Sequence, residues 1–394
     1  MIKRFDYVIF SQQSWDVEIG SNAKNIALEL AKKNRVLYVN RPLDVKTLLK
    51  NDSANASFIK SRLKQRNSSI GNQIKEVENN LFAFTPKNIL LSINGLPDGA
   101  MYDWANRSNN ARLANEIKKA IAHLGFSDYV LLNDGELFNG FYLNELLDAK
   151  KSLYYYRDYF LAVPYWQKHG NRLESQIFER YDGVICNSEY LATIAAKHAK
   201  HSFFVGQGCD YDYFKDAHAT EKLRNDKPII GYVGALNSQR LDVSLLENLA
   251  QENPQWTWVF VGPEDEAFKS SSLHQQSNVV FTGSKNQEEL AGYISQFDVA
   301  LNPQTLNEVT IGNYPRKIDE YLYMGKPVVA TRTVAMEMFA EFCFLVETKE
   351  EYAAAIAAAL NQDHAAFAPK RKAFAASHSW ENSVNNIYNA ISQL

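Results

Sequence analysis

Residues 314–330 read Tyr314-Pro315-Arg316-Lys317-Ile318-Asp319-Glu320-Tyr321-Leu322-Tyr323-Met324-Gly325-Lys326-Pro327-Val328-Val329-Ala330. Pro315 suits the first position of a helix and Gly325 the position just past its end, while Pro327 to Ala330 resumes an apolar run fit for a buried strand. The spacing predicts a short helix over 316–324 between two strands of a parallel sheet. The amino end of such a helix presents unpaired N–H groups and a positive dipole end, which suits a pyrophosphate. Lys317 in the first turn opposes that dipole and is unfavourable there unless an anion sits beside it. Glu320, one turn on and on the same face, is placed to meet the hydroxyls of a ribose. The alternative is a surface helix in which Lys317 and Glu320 pair with each other.

The same alternation runs through the chain. Strands are expected at 229–233, 258–261, 279–281, 299–301, 327–330 and 343–346, with helices at 241–251, 286–296, 316–324 and 350–361 and a closing amphipathic helix from about 380 to 394. Before them, strands at 7–10, 35–39, 129–132, 152–156, 183–186 and 203–205 alternate with helices at 22–33, 172–180 and 189–200. The interval 42–127 reads only in part, with one helix at 112–123. The fold class expected is α/β, with two doubly wound Rossmann-like domains facing a central cleft. Their bounds are 1–206, a linker over 207–227, 228–375, and a helix over 376–394 that packs back on the first domain. Ligands of such sheets bind beyond the carboxyl ends of the strands. Gly234, Gly262 and Gly283 each follow a predicted strand directly, where backbone turns tightly or approaches a ligand; ordinary βα turns are the other reading.

Composition narrows the function. The 394 residues carry a net charge of -3, with 22% charged and 46% hydrophobic side chains, which argues against a disordered chain and a nucleic-acid binder. The charge is unevenly divided, +6 over residues 1–206 and -9 over 207–394. Cys186, Cys209 and Cys343 lie far apart with no zinc-ligand spacing, so neither a disulfide framework nor a structural metal is expected. No apolar stretch approaches the ~20 residues of a membrane-spanning helix, and the first residues lack a signal-peptide core, so a cytoplasmic protein is expected. No Gly-x-Gly-x-x-Gly follows the first strand of either domain, which disfavours a dinucleotide-dependent dehydrogenase.

The 314–330 segment resembles the donor-binding signature of GT-B glycosyltransferases, in particular family 4-like bacterial enzymes of exopolysaccharide and teichuronic acid biosynthesis. The likeness extends to Gly231-Tyr232-Val233-Gly234-Ala235 with Arg240 and Asp242, to Phe260-Val261-Gly262-Pro263, and to Phe281-Thr282-Gly283 with Glu289, Leu290 and Tyr293. Asn187 to Leu191 and Gly206 to Asp210 with Phe214 fit it as well. The resemblance implies that Lys317 and Arg240 bind the diphosphate of a nucleotide-sugar donor, that Glu320 binds its ribose, and that the backbone of Gly283-Ser284-Lys285 holds the base. The turn Gly312-Asn313-Tyr314 would meet the sugar, and Gly234 would let a strand end approach the donor. Two cations and a helix terminus would then stabilise the leaving group without a metal or other cofactor. Asp210-Tyr211-Asp212 spells a metal-binding triplet of the other major transferase fold, but it stands where the resemblance expects a Gly-x-Asp-x-x-x-Phe passage and reads as a solvated turn. One departure is Gly312, which stands where many relatives carry the first of two glutamates. That leaves the stereochemical outcome open, with Asn307 and Glu308 near enough to substitute.

In the first domain, Gly20 precedes a helix start and resembles the glycine loop that approaches donor phosphate and acceptor, with Ser21 or Asn22 as helix cap. A general base would stand beside the acceptor hydroxyl at a strand end. Asp158 comes first, because the apolar, aromatic strand before it would limit its solvation and raise its basicity; Asp16 and Glu136 are the runners-up. The other reading gives Arg157 and Asp158 structural contacts. The segment 45–66 carries Lys46, Lys50, Lys60, Arg62, Lys64 and Arg66 among apolar residues. It reads either as a solvated variable loop or as a surface resting on the cytoplasmic face of an anionic membrane. Together these features point to a metal-independent glycosyltransferase that moves a sugar from a nucleotide-sugar donor to a hydroxyl of a glycan or lipid-linked acceptor, with domain closure excluding water. A non-hydrolysing nucleotide-sugar epimerase and a non-catalytic small-molecule binding protein are the alternatives.

Overall fold

The computed structural model describes residues 5–17, 20–49, 56–215, 223 and 226–394. Among these the chain forms two compact units: the residues up to Gly206 together with Trp380–Leu394, and Gln207–Ser379. The first unit contains β1 (Asp6–Ser11), β2 (Val36–Val39), β3 (Leu43–Asp44), β4 (Ile74–Glu78), β5 (Leu81–Phe84), β6 (Ile89–Leu90), β7 (Tyr129–Asp134), β8 (Lys151–Tyr156), β9 (Gly183–Cys186) and β10 (Ser202–Phe204). Eight of them form one sheet in the order β10-β9-β8-β7-β1-β2-β5-β4, parallel except for the β4–β5 hairpin, and β3 pairs with β6 alone. The second unit has β11 (Ile229–Val233), β12 (Thr257–Val261), β13 (Val279–Gly283), β14 (Val299–Asn302), β15 (Val328–Thr331) and β16 (Phe344–Val346), all parallel in the order β13-β12-β11-β14-β15-β16.

Apart from the edge strand β4 and the short β3, these strands are mostly apolar runs, as expected where helices cover both faces of a sheet. Alternation divides each run between two cores. Val8 and Phe10 of β1 pack with Leu113, Ile117 and Phe178, whereas Tyr7 and Ile9 pack with Ile26, Leu30 and the C-terminal helix Trp380–Ser392. That helix buries Val384, Ile387 and Ile391, and its Tyr388 hydroxyl accepts a 2.7 Å hydrogen bond from Asn34.

Several elements differ from the sequence expectation. The helix expected at 112–123 spans Ala100–Leu124. Its earlier turns contain Asn106, Asn109 and Asn110, poor helix formers whose side chains here find tertiary partners. Asn109 donates to the Leu91 carbonyl at 2.9 Å and Asn110 to that of Phe138 at 3.0 Å. A second extension, Pro164–Arg180, begins eight residues before the expected 172 because Pro164 is suited to open a helix. A further helix, His364–Ser377, went unread because Pro369 lies inside it.

The segment expected as a loop over 45–66 instead holds helices Val45–Leu49 and Ala56–Gln65, while residues 50–55 lie outside the described ones. Arg62 anchors the second helix: it grips Asp16 through contacts of 2.6 and 2.9 Å and lies 4.5 Å from the Phe58 ring centroid. The expected linker also lies partly outside the described residues. In its first part Asp210 accepts the Asp212 N–H at 3.1 Å, and Tyr211 stacks on Tyr323 with ring centroids 4.2 Å apart. No helix among the described residues is long and apolar enough to cross a membrane.

The ends of β11 and β12 are pressed together at two glycines. Gly234 has φ +136° and Gly262 φ +150°, and a Cβ on Gly262 would stand 2.0 Å from the Gly234 carbonyl oxygen. Gly262→Ala is therefore expected to destabilise the protein by about 2–3 kcal/mol, lowering Tm by roughly 4–10 °C in calorimetry. An unchanged Tm would mean that these ends separate freely.

The Asp16–Arg62 pair makes a second prediction. Burial pushes the Asp16 carboxyl up, but the hydrogen bonds and charge of Arg62 outweigh it and hold the group below its ordinary value. A depressed folded-state pKa contributes stability above the unfolded value of about 3.9 that is lost as pH falls. Asp16→Asn should cost about 1 kcal/mol at neutral pH, a modest figure because Asp16 is partly exposed, and the gap from wild type should close below about pH 4. A gap of equal size at pH 7 and pH 3 in denaturant titrations would show that the pair's contribution is not ionic.

Candidate functional site

In the second unit the chain runs from β11 out to β13, then returns to the other side of β11 for β14 to β16. Crevices form where strand order reverses in this way. Between the ends of β11 and β14 lies a cavity of about 450 Å³, lined by Tyr232, Val233, Gly234, Arg240, Leu241, Lys285, Leu290, Gln304, Asn313, Tyr314, Pro315, Arg316, Lys317 and Glu320, with Phe214. It gathers seven of the residues singled out by sequence: Gly234, Arg240, Lys285, Asn313, Tyr314, Lys317 and Glu320. Gly283 and Ser284 are not among its lining. Gly283 closes β13 at φ +70°, with open space where a Cβ would stand, and Ser284 is exposed.

Helix Arg316–Tyr323 enters this cavity by its amino end, with Pro315 at the cap position and no side chain capping the first N–H groups. Lys317 Nζ donates to the Tyr232 hydroxyl at 2.5 Å and lies 4.0 Å from the ring centroid. No carboxylate among the described residues forms an ion pair with Lys317 or with the exposed Arg240. Their charges stay available. The pairing of Lys317 with Glu320 does not form; Glu320 lies 3.3 Å from Arg316 Nε instead. Burial pushes the Glu320 carboxyl up, against the opposing charges of Arg316 and Lys317.

Among the polar groups nearby, Tyr314, Asp319 and Asn307 are engaged with one another or with their own loop, whereas the Gln304 side-chain oxygen has no partner among the described residues. The Tyr314 hydroxyl donates to Asp319 at 2.6 Å, and the other oxygen of this fully buried carboxylate lies 2.7 Å from His378 Nδ1. Burial raises the Asp319 pKa, opposed by His378. Asn307 accepts the N–H groups of Val309 and Thr310 at 2.9 and 3.2 Å and donates to the Gln239 carbonyl at 2.8 Å. It therefore organises its own loop and is not free to replace the absent glutamate. Glu308 is exposed.

In the first unit strand order reverses between β1 and β7. Here a cavity of about 260 Å³ is lined by Gln12, Arg41, Asn94, Glu136, Asn139, Tyr165 and Trp166, among others. A neighbouring one of about 380 Å³ shares Gln12, Arg41 and Asp44 and reaches Arg157. Glu136 is 3% exposed, its N–H is fixed at 2.9 Å by Asn133 Oδ1, and its carboxylate accepts from Asn139 at 3.3 Å. Burial pushes its pKa up, against the field of Arg41. Beside it Asp134, fully buried, accepts from Ser11 at 2.6 Å and Arg157 at 2.8 Å, tying β1, β7 and β8 together.

The limited solvation expected of Asp158 is not observed. Its side chain is 41% exposed, ion-paired with Arg157, and lines neither cavity. Arg157 turns inward to Asp134 and leaves the next side chain on the rim. Asp16 is engaged by Arg62. Gly20 is exposed and precedes Ser21, the helix cap, whose Oγ accepts the Lys24 N–H at 3.3 Å. Sequence reasoning passed over Arg41, Tyr165, Trp166 and Gln304, and gave Tyr232, though part of the resembling segment, no role of its own. Arg41 had a signal, since it follows β2 at the sheet edge where ligands bind; Tyr165 and Trp166 had none.

Residues 227–362 match the family described as glycosyl transferases group 1. The putative teichuronic acid biosynthesis glycosyltransferase TuaH of Bacillus subtilis is 29% identical over 172 residues, a match that spans 40% of this chain and 42% of that relative's length. The solved sucrose-phosphate synthase of Thermosynechococcus elongatus superimposes over 99% of both chains at 18% identity with a TM-score of 0.67. HepE of Anabaena, solved in complex with UDP and glucose, superimposes over 99% of this chain and 100% of that one at 18% identity with a TM-score of 0.64. The chain therefore has the GT-B fold of these solved structures, and its residues 227–362 match the glycosyl transferases group 1 family.

Proposed function

We propose that the protein transfers a sugar from a nucleotide-diphosphate donor to a hydroxyl of a glycan or lipid-linked acceptor in cell-surface polysaccharide biosynthesis. The observation that carries this reading is a cavity in which two of the cations, Lys317 and Arg240, have no acidic partner among the described residues and stand beside an uncapped helix terminus. A nucleoside diphosphate gains negative charge as its bond to the sugar breaks. Fixed cations and oriented N–H groups stabilise that charge without having to reorganise, and the reading asks for no metal.

Glu320 would accept hydrogen bonds from the ribose, and Gly283 to Lys285 would border the base. Asn313 would meet the sugar. Gly234 makes room for the diphosphate-binding cation, since a Cβ there would lie 2.9 Å from Lys317 Nζ. For the general base this reading takes Glu136 in place of Asp158, because Glu136 lines a cavity and its burial raises its basicity as a carboxylate. A curated relative named for teichuronic acid biosynthesis and a fold relative solved with UDP support the polymer class and make uridine the first base to test.

Thermal-shift titration with UDP, GDP, dTDP and ADP tests the donor site. UDP should raise Tm, EDTA should leave the effect intact, and Lys317→Ala or Glu320→Ala should each weaken the response by about tenfold. The assignment fails if no nucleotide acts or if both variants respond like wild type. Separately, Glu136→Gln should keep the nucleotide response while acceptor-dependent nucleotide release falls roughly 100-fold or more. Near-normal release in that variant, with loss in Asp158→Asn, would return the role to Asp158.

A further inference from the structure

At the opposite edge of the second sheet, by the amino ends of β14 and β15, lies a partly enclosed cavity of about 190 Å³. Phe297, Pro327, Ala359 and Leu360 form its apolar wall, and Lys326, His364 and Arg371 face it with Gln362 and Asp298. Arg371 is the unusual member. It is 1% exposed, yet its guanidinium has no carboxylate partner among the described residues. Its contacts are the Gly325 carbonyl at 3.3 Å, the Gln362 side chain and a distant Phe367 ring, and its Nε has no hydrogen-bond partner. A buried guanidinium without a counter-ion is costly.

The surroundings add positive charge. Among the described residues Lys326 Nζ donates only to the Ser295 carbonyl, at 2.7 Å, and Lys372 reaches over Gly325, its Cε 3.2 Å from where a Cβ would stand. Burial together with neighbouring cations lowers the pKa of both Lys326 and His364. Against these four groups stand Asp298, one of whose oxygens accepts the Ile229 N–H at 2.7 Å, and Asp363, which caps helix His364–Ser377.

We propose that this cavity binds the phosphoryl group of a small phosphomonoester or free inorganic phosphate, held by Arg371, Lys326 and His364. A tetrahedral dianion supplies the missing acceptors for Arg371 and offsets the cation repulsion. The site is separate from the donor cavity and does not depend on the transferase reading. A larger cavity of about 960 Å³ shares Phe297, Asp298, Lys326 and Leu360, and leaves room for the body of a phosphomonoester.

The full-length protein is titrated by thermal shift with inorganic phosphate and with glycerol 3-phosphate at constant ionic strength, using chloride as the reference anion. Both probes should raise Tm saturably. Lys326→Met and His364→Asn, at partly exposed and exposed positions that leave folding intact, should each move the midpoint to about tenfold higher concentration, the loss of one charge-assisted contact. Lys317→Ala should leave the midpoint unchanged. Glycerol 3-phosphate binding about tenfold tighter than phosphate would identify a phosphomonoester as the ligand, and equal midpoints would identify phosphate itself. The proposal is overturned if neither probe acts, if Lys326→Met responds like wild type, or if the effect disappears in Lys317→Ala and survives in Lys326→Met, which would place the anion in the donor cavity.

Discussion

A parallel sheet buried on both faces cannot carry polar chemistry along its strands, so reactive side chains are confined to the strand ends. That constraint organises both units. In the first, strand order reverses between β1 and β7, and Gln12 and Glu136 line a cavity just past those ends. In the second, the reversal between β11 and β14 does the same for Gly234 and Gln304. The buried Asp134, shared by Ser11 and Arg157, fixes the geometry of the first reversal without itself facing a cavity.

The treatment of cations separates structure from site. Arg35 is matched to Asp6 and Arg62 to Asp16, each by two hydrogen bonds, so their charges are neutralised where they help hold the fold together. Lys317 rests instead on the face and hydroxyl of Tyr232. An aromatic ring holds an ammonium in place without cancelling its charge, which a carboxylate would do. Arg316, two residues after Tyr314 and directly before Lys317, takes up the nearby Glu320 and so keeps that acid from neutralising the lysine.

Much of this was legible in the sequence. Continuous apolar runs such as Ile229–Val233 and Gly183–Cys186 appear as strands at the expected positions, because two-sided burial leaves no ambiguity of period. Pro315 and Gly325 bracketed their helix to within a residue. Elements held by tertiary contacts were not legible. The turns around Asn106, Asn109 and Asn110 are helical because distant carbonyls receive their amides, and helix Ala56–Gln65 is pinned by an ion pair to a residue 46 positions away. At the site, the strand-end position of Asp158 was read correctly, but not the inward turn of Arg157 that leaves it on the rim.

Burial alone does not mark a reactive acid. Asp319, Glu320 and Glu136 are all buried, and burial raises all three pKa values. Asp319 is closed off, with one oxygen on the Tyr314 hydroxyl and the other on His378, so it has little left to offer a ligand. Glu320 has the long contact to Arg316, and Glu136 is contacted by Asn139 through its side chain and its backbone. Both line cavities, which Asp319 does not. What distinguishes these two acids is therefore a position on a cavity wall; a missing hydrogen bond alone does not, since Glu116 and Glu174 also each have a buried oxygen without a partner among the described residues and line neither cavity. By that combined criterion Glu136 and Glu320, one in each unit, are where the fold leaves room for a ligand.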